Sequence, residues 1–419
     1  MNFETAPVHP IALSTDGHTL AVCNLPDGKL ELFDVSRGAL APIGAVSVGI
    51  DPVSVRFRSA TEAWVVNHIS DSISVVDISA QRVVATIDTL DTPEDLVFAG
   101  SPARAFVSCA LPNRLQVIDA GTRQVVTNLV VEAERPRALA VSPDGQKVYV
   151  AIFESGNATT VVGAKFRNLL FFDNAVSSAN SPYGGQNPPP NFGLMFDPPL
   201  NPLIPTNVPP PLTGIIVRKN SAGRWLDGNA RDWTEFVSGT NAALTQRVAG
   251  WNLPDRDVAV VDTSDYSISY TTGLMNICMS LEANPATGKI VVVGTDAINE
   301  VRFEPNLNGI FVRVNAAVVD PITGDKMIKD LNPHLDYTAP SLPANARDQS
   351  IGDPRAIAWS ADGTRGYVAG MGSRNVVRID GEGNRLGGTP IEVGEGPCGL
   401  ALDEARQRLY VYNRFSSSI

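Results

Sequence analysis

The chain has 419 residues, of which 43% are hydrophobic and 18% charged, and its formal net charge is −11. This length can bury one large core or several ordinary ones. The acidic balance without a basic stripe excludes an extended nucleic-acid interface. No apolar run approaches the roughly 20 residues that a membrane-spanning helix requires.

The first predicted elements are a strand, a polar turn and a second strand in "ALSTDGHTLAVCN", which begins at Ala12. A clearer copy, "LAVSPDGQKVYVAI", begins at Leu139. Asp-Gly in the turn favours a hairpin, because Gly accepts a positive φ and Asp can bond its own backbone. Related copies begin at Val55, Leu96, Ser280, Ile357 and Leu400.

A third strand with apolar alternation follows most copies, and a short fourth strand comes after it. The third strand closes on an aspartate that can start an Asx-turn, at Asp34, Asp77, Asp119, Asp262, Asp320 and Asp380. Early in the chain these aspartates recur at positions 34, 77 and 119, a period of about 40–45 residues with four strands per unit. The repeat predicts an all-β fold, a seven-bladed β-propeller of four-stranded antiparallel blades.

The regular pattern breaks in the fourth blade, between its second and third strands. The predicted organisation is therefore residues 1–154 for blades one to four (first half), 155–255 for an insertion, and 256–419 for the rest of blade four through blade seven. The insertion is rich in proline from Pro182 to Leu212, which favours extended segments. We predict that it is ordered, with Trp225 and Trp233 as anchors.

The last repeat stops early by the same pattern. "NRFSSSI" at Asn413–Ile419 aligns with "NHISDSI" at Asn67–Ile73, where blade two continues into its third strand. We therefore expect an incomplete seventh blade with an open edge that invites strand pairing. The remainder of a longer polypeptide or a protein partner would complete it.

Aligned copies place five candidate ligand-binding residues at the mouth of the central channel: His9, Glu94, Arg137, Arg355 and Cys398. His9 and Cys398 belong to neighbouring blades and are expected to approach each other. A His/Cys/Glu set can bind a transition metal, whereas Glu with two Arg can hold an anionic ligand. The alternative is that these residues are solvated side chains at the channel mouth that bind no ligand and catalyse no reaction.

Other motifs are sparse. "DGNARDWTE" offers Asp227, Asn229 and Asp232 as oxygen ligands of a metal site, although the alternation of an EF-hand loop is missing. No CxxCH is present, so this chain binds no haem covalently, and we expect no cofactor in it. No catalytic HExxH, GxSxG or Walker-type motif occurs either.

Two segments carry a family resemblance: "PRALAVSPDGQKVYVA" and "NHISDSISVVDISAQRVVATI" resemble the YVTN repeats of bacterial and archaeal propellers, YncE-like periplasmic and cell-surface proteins among them. The wider superfamily includes WD-repeat, quinoprotein amine dehydrogenase-like and lactonase-like propellers. The resemblance implies a periplasmic or extracellular location, although the first residues predict no signal peptide. It implies a non-catalytic binding or scaffold module. A redox module fused to a c-type cytochrome or peroxidase-like segment, and a lactonase-like hydrolase or lyase, are the alternatives.

Overall fold

The computed structural model describes residues 7–163, 175–186, 214–253, 255–297, 312–337 and 342–419. Within these ranges the strands form six four-stranded sheets, one three-stranded sheet and one two-stranded sheet. All the strand pairs within these sheets are antiparallel.

The first three sheets each consist of four consecutive strands that pair in chain order. The first contains β1 (Ile11–Leu13), β2 (Thr19–Asn24), β3 (Lys29–Asp34) and β4 (Ala41–Ser47). The second contains β5 (Pro52–Ser59), β6 (Glu62–Asn67), β7 (Ser72–Asp77) and β8 (Arg82–Asp88). The third contains β9 (Pro93–Ala99), β10 (Arg104–Cys109), β11 (Arg114–Asp119) and β12 (Val125–Val130).

The fourth sheet is interrupted. It begins with β13 (Pro136–Val141) and β14 (Lys147–Ile152). The chain then forms a 3-10 helix (Gly156–Ala158), β15 (Thr159–Val162), β16 (Ile215–Lys219), β17 (Trp225–Leu226), α1 (Thr234–Val237) and a second 3-10 helix (Ala242–Thr245). It returns as β18 (Val258–Asp262) and β19 (Ile268–Thr271). Because β14 pairs directly with β18, the excursion lies between the second and third strands of this sheet.

The remaining sheets follow in chain order. The fifth contains β20 (Ile277–Ala283), β21 (Ile290–Ala297), β22 (Val312–Val319) and β23 (Lys326–Asp330). After α2 (Ala344–Asp348), the sixth contains β24 (Pro354–Trp359), β25 (Arg365–Gly370), β26 (Asn375–Asp380) and β27 (Ile391–Glu392). The last has two strands in the described part of the chain, β28 (Pro397–Asp403) and β29 (Arg408–Asn413).

Hydrophobic cores lie between neighbouring sheets. Trp64 and Val66 of the second sheet, for example, pack with Leu96 and Val107 of the third. Second strands such as β10 are almost wholly buried, whereas fourth strands such as β12 are largely exposed. The first strand of each sheet packs beside the first strand of the next, and β28 packs beside both β24 and β1. This is an all-β arrangement of successive sheets around a common centre, as in a β-propeller.

The predicted aspartate turns are confirmed. Each carboxylate accepts a backbone N–H from two or three residues ahead, which fixes the turn after the third strand. The donors are Ser36, Ala80, Gly121, Ser264, Ile322 and Glu382, for Asp34, Asp77, Asp119, Asp262, Asp320 and Asp380 respectively.

The insertion has a small core of its own. Trp225 and Trp233 are fully buried and pack with Val217, Phe236 and Val237. The prediction that both tryptophans are anchors is confirmed. Most of the proline-rich stretch, residues 187–213, lies outside the described residues, so its predicted order stays a prediction.

Candidate binding site at the channel mouth

Four of the five predicted mouth residues occupy the same place in their sheets. Glu94, Arg137, Arg355 and Cys398 are the second residues of β9, β13, β24 and β28. A proline opens each of these strands, and the strands meet side by side around the centre. The repeat therefore presents all four residues at one end of the ring of first strands.

Glu94 and Arg137 form a buried ion pair at this end. Arg137 Nε lies 3.4 Å from Glu94 Oε2, and their side chains are only 9% and 8% exposed. On the other side, His68 Nδ1 lies 3.8 Å from Glu94 Oε1. Burial lowers the pKa of Arg137 and the Glu94 carboxylate opposes this shift, so the guanidinium keeps its charge in a poorly solvated place.

Phe153 joins the two predicted arginines. The Arg137 guanidinium lies 4.9 Å from the centre of its ring and the Arg355 guanidinium 5.6 Å, both in cation–π range. Arg355 also pairs with Asp353, at 2.7 Å. One ring thus holds two positive charges close together, an arrangement that an anionic group can bridge.

Cys398 contributes a neutral thiol. It is fully buried and packs with Ile11, Val22 and Tyr412 between the first and last sheets. Burial raises the pKa of the thiol to about 12, against the opposing charges of Arg414, Arg355 and Arg137. A thiol in this state is a poor nucleophile and a poor metal ligand.

His9 lies in a different environment from the other four. Its Nδ1 is 2.7 Å from Asp95 Oδ2, and its Nε2 is 3.6 Å from Glu282 Oε1. Arg56 Nη2 lies 2.8 Å from the same Nδ1 and 3.4 Å from Asp95 Oδ2. The side-chain partners of His9 are therefore on β5, β9 and β20.

Backbone pairing explains this position. Val8 N–H donates to Val53 O at 3.0 Å and Val55 N–H donates to His9 O at 2.9 Å, so Val8 and His9 run parallel to β5. Burial and Arg56 lower the pKa of His9, but Asp95 and Glu282 outweigh them and the net shift is upward. The contacts of His9 with Arg56, Asp95 and Glu282 therefore tie three sheets together across the centre.

The oxygens of the predicted metal loop are occupied by protein donors. Tyr183 Oη and Trp233 Nε1 donate to Asp227 Oδ2 at 2.6 and 2.9 Å. Asn229 directs its side-chain amide to the same tyrosine, and Asp232 pairs with Arg224 at 2.8 Å. Across the ranges that the structure describes, no three His, Cys, Asp or Glu side chains are arranged to hold a metal ion. These contacts help to fix the fold of the insertion, and the metal site at this loop stays a prediction.

A buried acid pair, Asp255 and Asp257, was missed from the sequence. Leu274 N–H donates to Asp257 and Gly273 N–H to Asp255, both at 2.8 Å. Burial, then the charge of Asp255, raises the pKa of Asp257 to about 7, and burial also raises the pKa of Asp255. The signal for this pair is the Asp-x-Asp spacing before β18, which places both side chains on one face of an extended chain.

Comparison with known proteins supports the fold. The structure is similar to hydrazine synthase from Kuenenia stuttgartiensis, with a TM-score of 0.62, 16% sequence identity and coverage of 100% of this chain and 96% of that one. No protein-family model matches the sequence, and no curated protein matches it. Among the helices that the structure describes, none has the length and apolarity needed to cross a membrane. The chain has a β-propeller-like all-β fold.

Proposed function

We propose that this chain is a non-catalytic binding and scaffold module, built as a seven-bladed β-propeller whose seventh blade has two of its four strands. The six four-stranded sheets and the pair β28–β29 are its blades. Adjacent packing of the first strands from β1 round to β28 supports this count. The function of the module is to bind an acidic ligand at the channel mouth.

The observation that carries the proposal is the pair of guanidiniums, of Arg137 and Arg355, against Phe153. Glu94 and Asp353 supply the negative charges that pair with these two guanidiniums. A carboxylate or phosphate between the guanidiniums would gain charge-assisted hydrogen bonds.

Two features support binding without catalysis. The Cys398 thiol is protonated at neutral pH, so it offers no thiolate nucleophile. The Glu94 carboxylate is already held in an ion pair with Arg137. We propose a periplasmic or cell-surface location and a protein partner on the resemblance of the repeats to YVTN propellers.

Isothermal titration calorimetry with two probes, inorganic phosphate and a tetra-aspartate peptide, tests whether the channel mouth binds an acidic ligand. Arg137→Gln and Arg355→Gln should each weaken binding of at least one probe by about tenfold or more, since a hydrogen bond to a charged group contributes about 1.5–3 kcal/mol. Arg82→Gln, on the exposed start of β8, removes the same charge away from the mouth and should leave binding unchanged. Affinity that is the same in all three variants, or no binding of either probe, would overturn the proposal.

A further inference from the structure

Three large apolar side chains are exposed at the mouth end of the second and third sheets. Ile50 is 64% exposed, Ile69 52% and Leu111 60%. We call these three residues the apolar belt. Ile50 precedes β5, whereas Ile69 and Leu111 follow β6 and β10. Because β6 ends opposite the start of β5, and β10 ends opposite the start of β9, the belt lies at the same end of the sheets as the channel mouth.

Ile50 and Ile69 are neighbours in space. Ile69 N–H donates to Ile50 O at 3.3 Å, and Ile50 N–H donates to the Ser70 hydroxyl at 2.6 Å. These bonds hold the loop of residues 48–51 against the loop of residues 68–71, which joins β6 to β7. The backbones of the two exposed isoleucines are therefore held side by side.

A third loop extends this surface to Leu111. In residues 89–92, between β8 and β9, Thr89 N–H donates to Asp71 O at 2.9 Å. At the other end of this loop, the Thr92 hydroxyl accepts the Leu111 N–H at 2.8 Å. The apolar belt is therefore connected through backbone contacts across two adjacent sheets.

The surroundings of the apolar belt are acidic. Its four loops, residues 48–51, 68–71, 89–92 and 110–113, contain no lysine or arginine. Asp91 lies in one of these loops and Asp88 ends β8 directly before it, and both side chains are exposed. Neither forms an ion pair with another residue in the described part of the chain. Free carboxylates beside exposed apolar side chains complement a partner that is both apolar and basic.

The repeat itself does not require apolar side chains at these positions. Two of the belt residues lie two positions after a second strand, where the side chain is exposed in every described copy. The fourth and sixth sheets have Glu154 and Gly372 there. Ile50 lies two positions before the proline that opens its first strand, where the third and last sheets have Asp91 and Glu395. Because polar residues serve the fold equally well, three linked apolar residues point to contact with a partner.

We propose that the apolar belt docks a segment of a partner protein that carries apolar and basic side chains together. The belt would bury the apolar side chains of this segment, and Asp88 and Asp91 would pair with its lysines or arginines at the rim of the contact. Apolar burial would supply most of the affinity, and the carboxylates would favour a basic partner over an acidic one. The inference rests on the proposed function in one respect, that the module has a protein partner, and it is independent of the ligand at the channel mouth.

Fluorescence anisotropy with two labelled peptides tests the apolar belt. One peptide alternates leucine with lysine, and the matched peptide alternates leucine with glutamate. The wild-type chain should bind the lysine peptide saturably and the glutamate peptide about tenfold more weakly. Ile69→Ser and Leu111→Ser should each weaken binding of the lysine peptide by about threefold or more, because each removes apolar surface from the contact. Ile322→Ser, at an exposed turn outside the belt, is the matched control and should bind like the wild type.

A charge reversal tests the role of the two carboxylates. Asp88→Lys combined with Asp91→Lys should reverse the preference between the two peptides. Asp325→Lys combined with Asp348→Lys changes the net charge equally at exposed positions of the fifth sheet and α2, and should leave the preference unchanged. Every substituted side chain is exposed, so the unfolding temperature should stay near that of the wild type in all the variants. This measurement separates lost binding from lost folding.

Three results would overturn the assignment. The first is no saturable binding of the lysine peptide, and the second is equal affinity in the wild type, Ile69→Ser and Leu111→Ser. The third is a preference that follows net charge in both double variants. Concentration-dependent dimers that Ile69→Ser abolishes would assign the belt to a second copy of the chain instead. Failure here is distinguishable from failure of the mouth proposal, since Ile69→Ser should leave binding of phosphate and tetra-aspartate unchanged and Arg137→Gln should leave binding of the lysine peptide unchanged.

Discussion

At the scale of single residues, the most consequential environment is that of Asp255 and Asp257. Asp257 is fully buried and accepts the Leu274 N–H, and the charge of Asp255 acts on it. Two carboxylates this close in a buried place cannot both be ionised cheaply. Near neutral pH the pair therefore retains a proton that the unfolded chain has released.

The pair predicts a pH dependence of a definite sign. The pKa of Asp257 is raised from 3.8 to about 7 in the folded state, so between these values the folded chain binds the extra proton. The free energy of unfolding should fall as pH rises through this window, by up to roughly 1.4 kcal/mol per pH unit. Asp257→Asn keeps an acceptor for Leu274 and a donor toward Asp255 without titrating. We expect a flatter profile for this variant, and greater stability than the wild type above the window.

Urea unfolding at unit steps of pH across this window measures how the free energy of unfolding depends on pH, for the wild type and for Asp257→Asn. Asp27→Asn, at an exposed turn position, is the control and should follow the wild type. The same decline with pH in Asp257→Asn as in the wild type would contradict the assignment of the proton to this pair.

The repeat explains which site residues could be predicted from sequence. Glu94, Arg137 and Arg355 share one position of a repeated strand, so aligning the copies was enough to bring them together. The partners of His9 could not be predicted this way, because Val8 and His9 run beside β5 in a parallel pairing that no other copy shows. The partners of Asp255 come from the loop after β19, and spacing along the chain does not specify that contact.

At the scale of elements, the insertion is organised around Asp227. Its carboxylate accepts hydrogen bonds from Tyr183, Trp233 and the backbone N–H groups of Asn229 and Arg231. Trp233 is fully buried, so its indole N–H depends on this acceptor. The acidic loop that suggested a metal site is therefore a hydrogen-bonding centre of the insertion core.

Asp227→Ala should destabilise the insertion by about 2–4 kcal/mol, because it leaves the indole N–H and the Tyr183 hydroxyl without their acceptor. Hydrogen exchange should speed up in residues 214–253 and stay slow in the strands of the six four-stranded sheets. Asp232→Ala, which breaks a more exposed pair with Arg224 and the hydrogen bonds that Thr234 donates, should cost less, about 1 kcal/mol. If calcium slowed hydrogen exchange in the insertion of the wild type but not of Asp227→Ala, the loop would be a metal site instead.

The elements divide into those that local pattern specifies and those that it does not. Hairpins with Asp-Gly turns and third strands that end in aspartate were predictable, because turn chemistry and strand alternation agree in each copy. Within the insertion, Trp225 and Trp233 indicated a core, but the partners that form it come from several segments without a repeated pattern. The strand β27 also lacks a clear sequence pattern, because it has only two residues and both are exposed.

At the scale of the whole molecule, the sheets and the insertion are separate hydrophobic units. The insertion core draws its residues from 162–253, whereas the core that contains Tyr149 and Val258 joins the fourth and fifth sheets. Each sheet packs mainly on its neighbours, so stability is distributed around the centre. The direct pairing of β14 with β18 means that the fourth sheet is complete without the insertion.

The insertion should therefore be removable. We expect that replacing residues 155–255 with a turn as short as residues 68–71, which join β6 to β7, leaves the sheets folded. The replacement removes the ion pair between Arg218 and Asp296, which stabilises the folded chain. Closing the shorter loop costs less conformational entropy, and this gain offsets part of that loss in the free energy of unfolding. Hydrogen exchange should show protected strands in all the sheets, and thermal unfolding should remain cooperative. Val150→Asp, a charge in the fully buried part of β14, should abolish protection in the same assay. If the shortened chain instead lost protection in β14 and β18 while the strands of the second sheet stayed protected, the insertion would be an integral support of the fourth sheet.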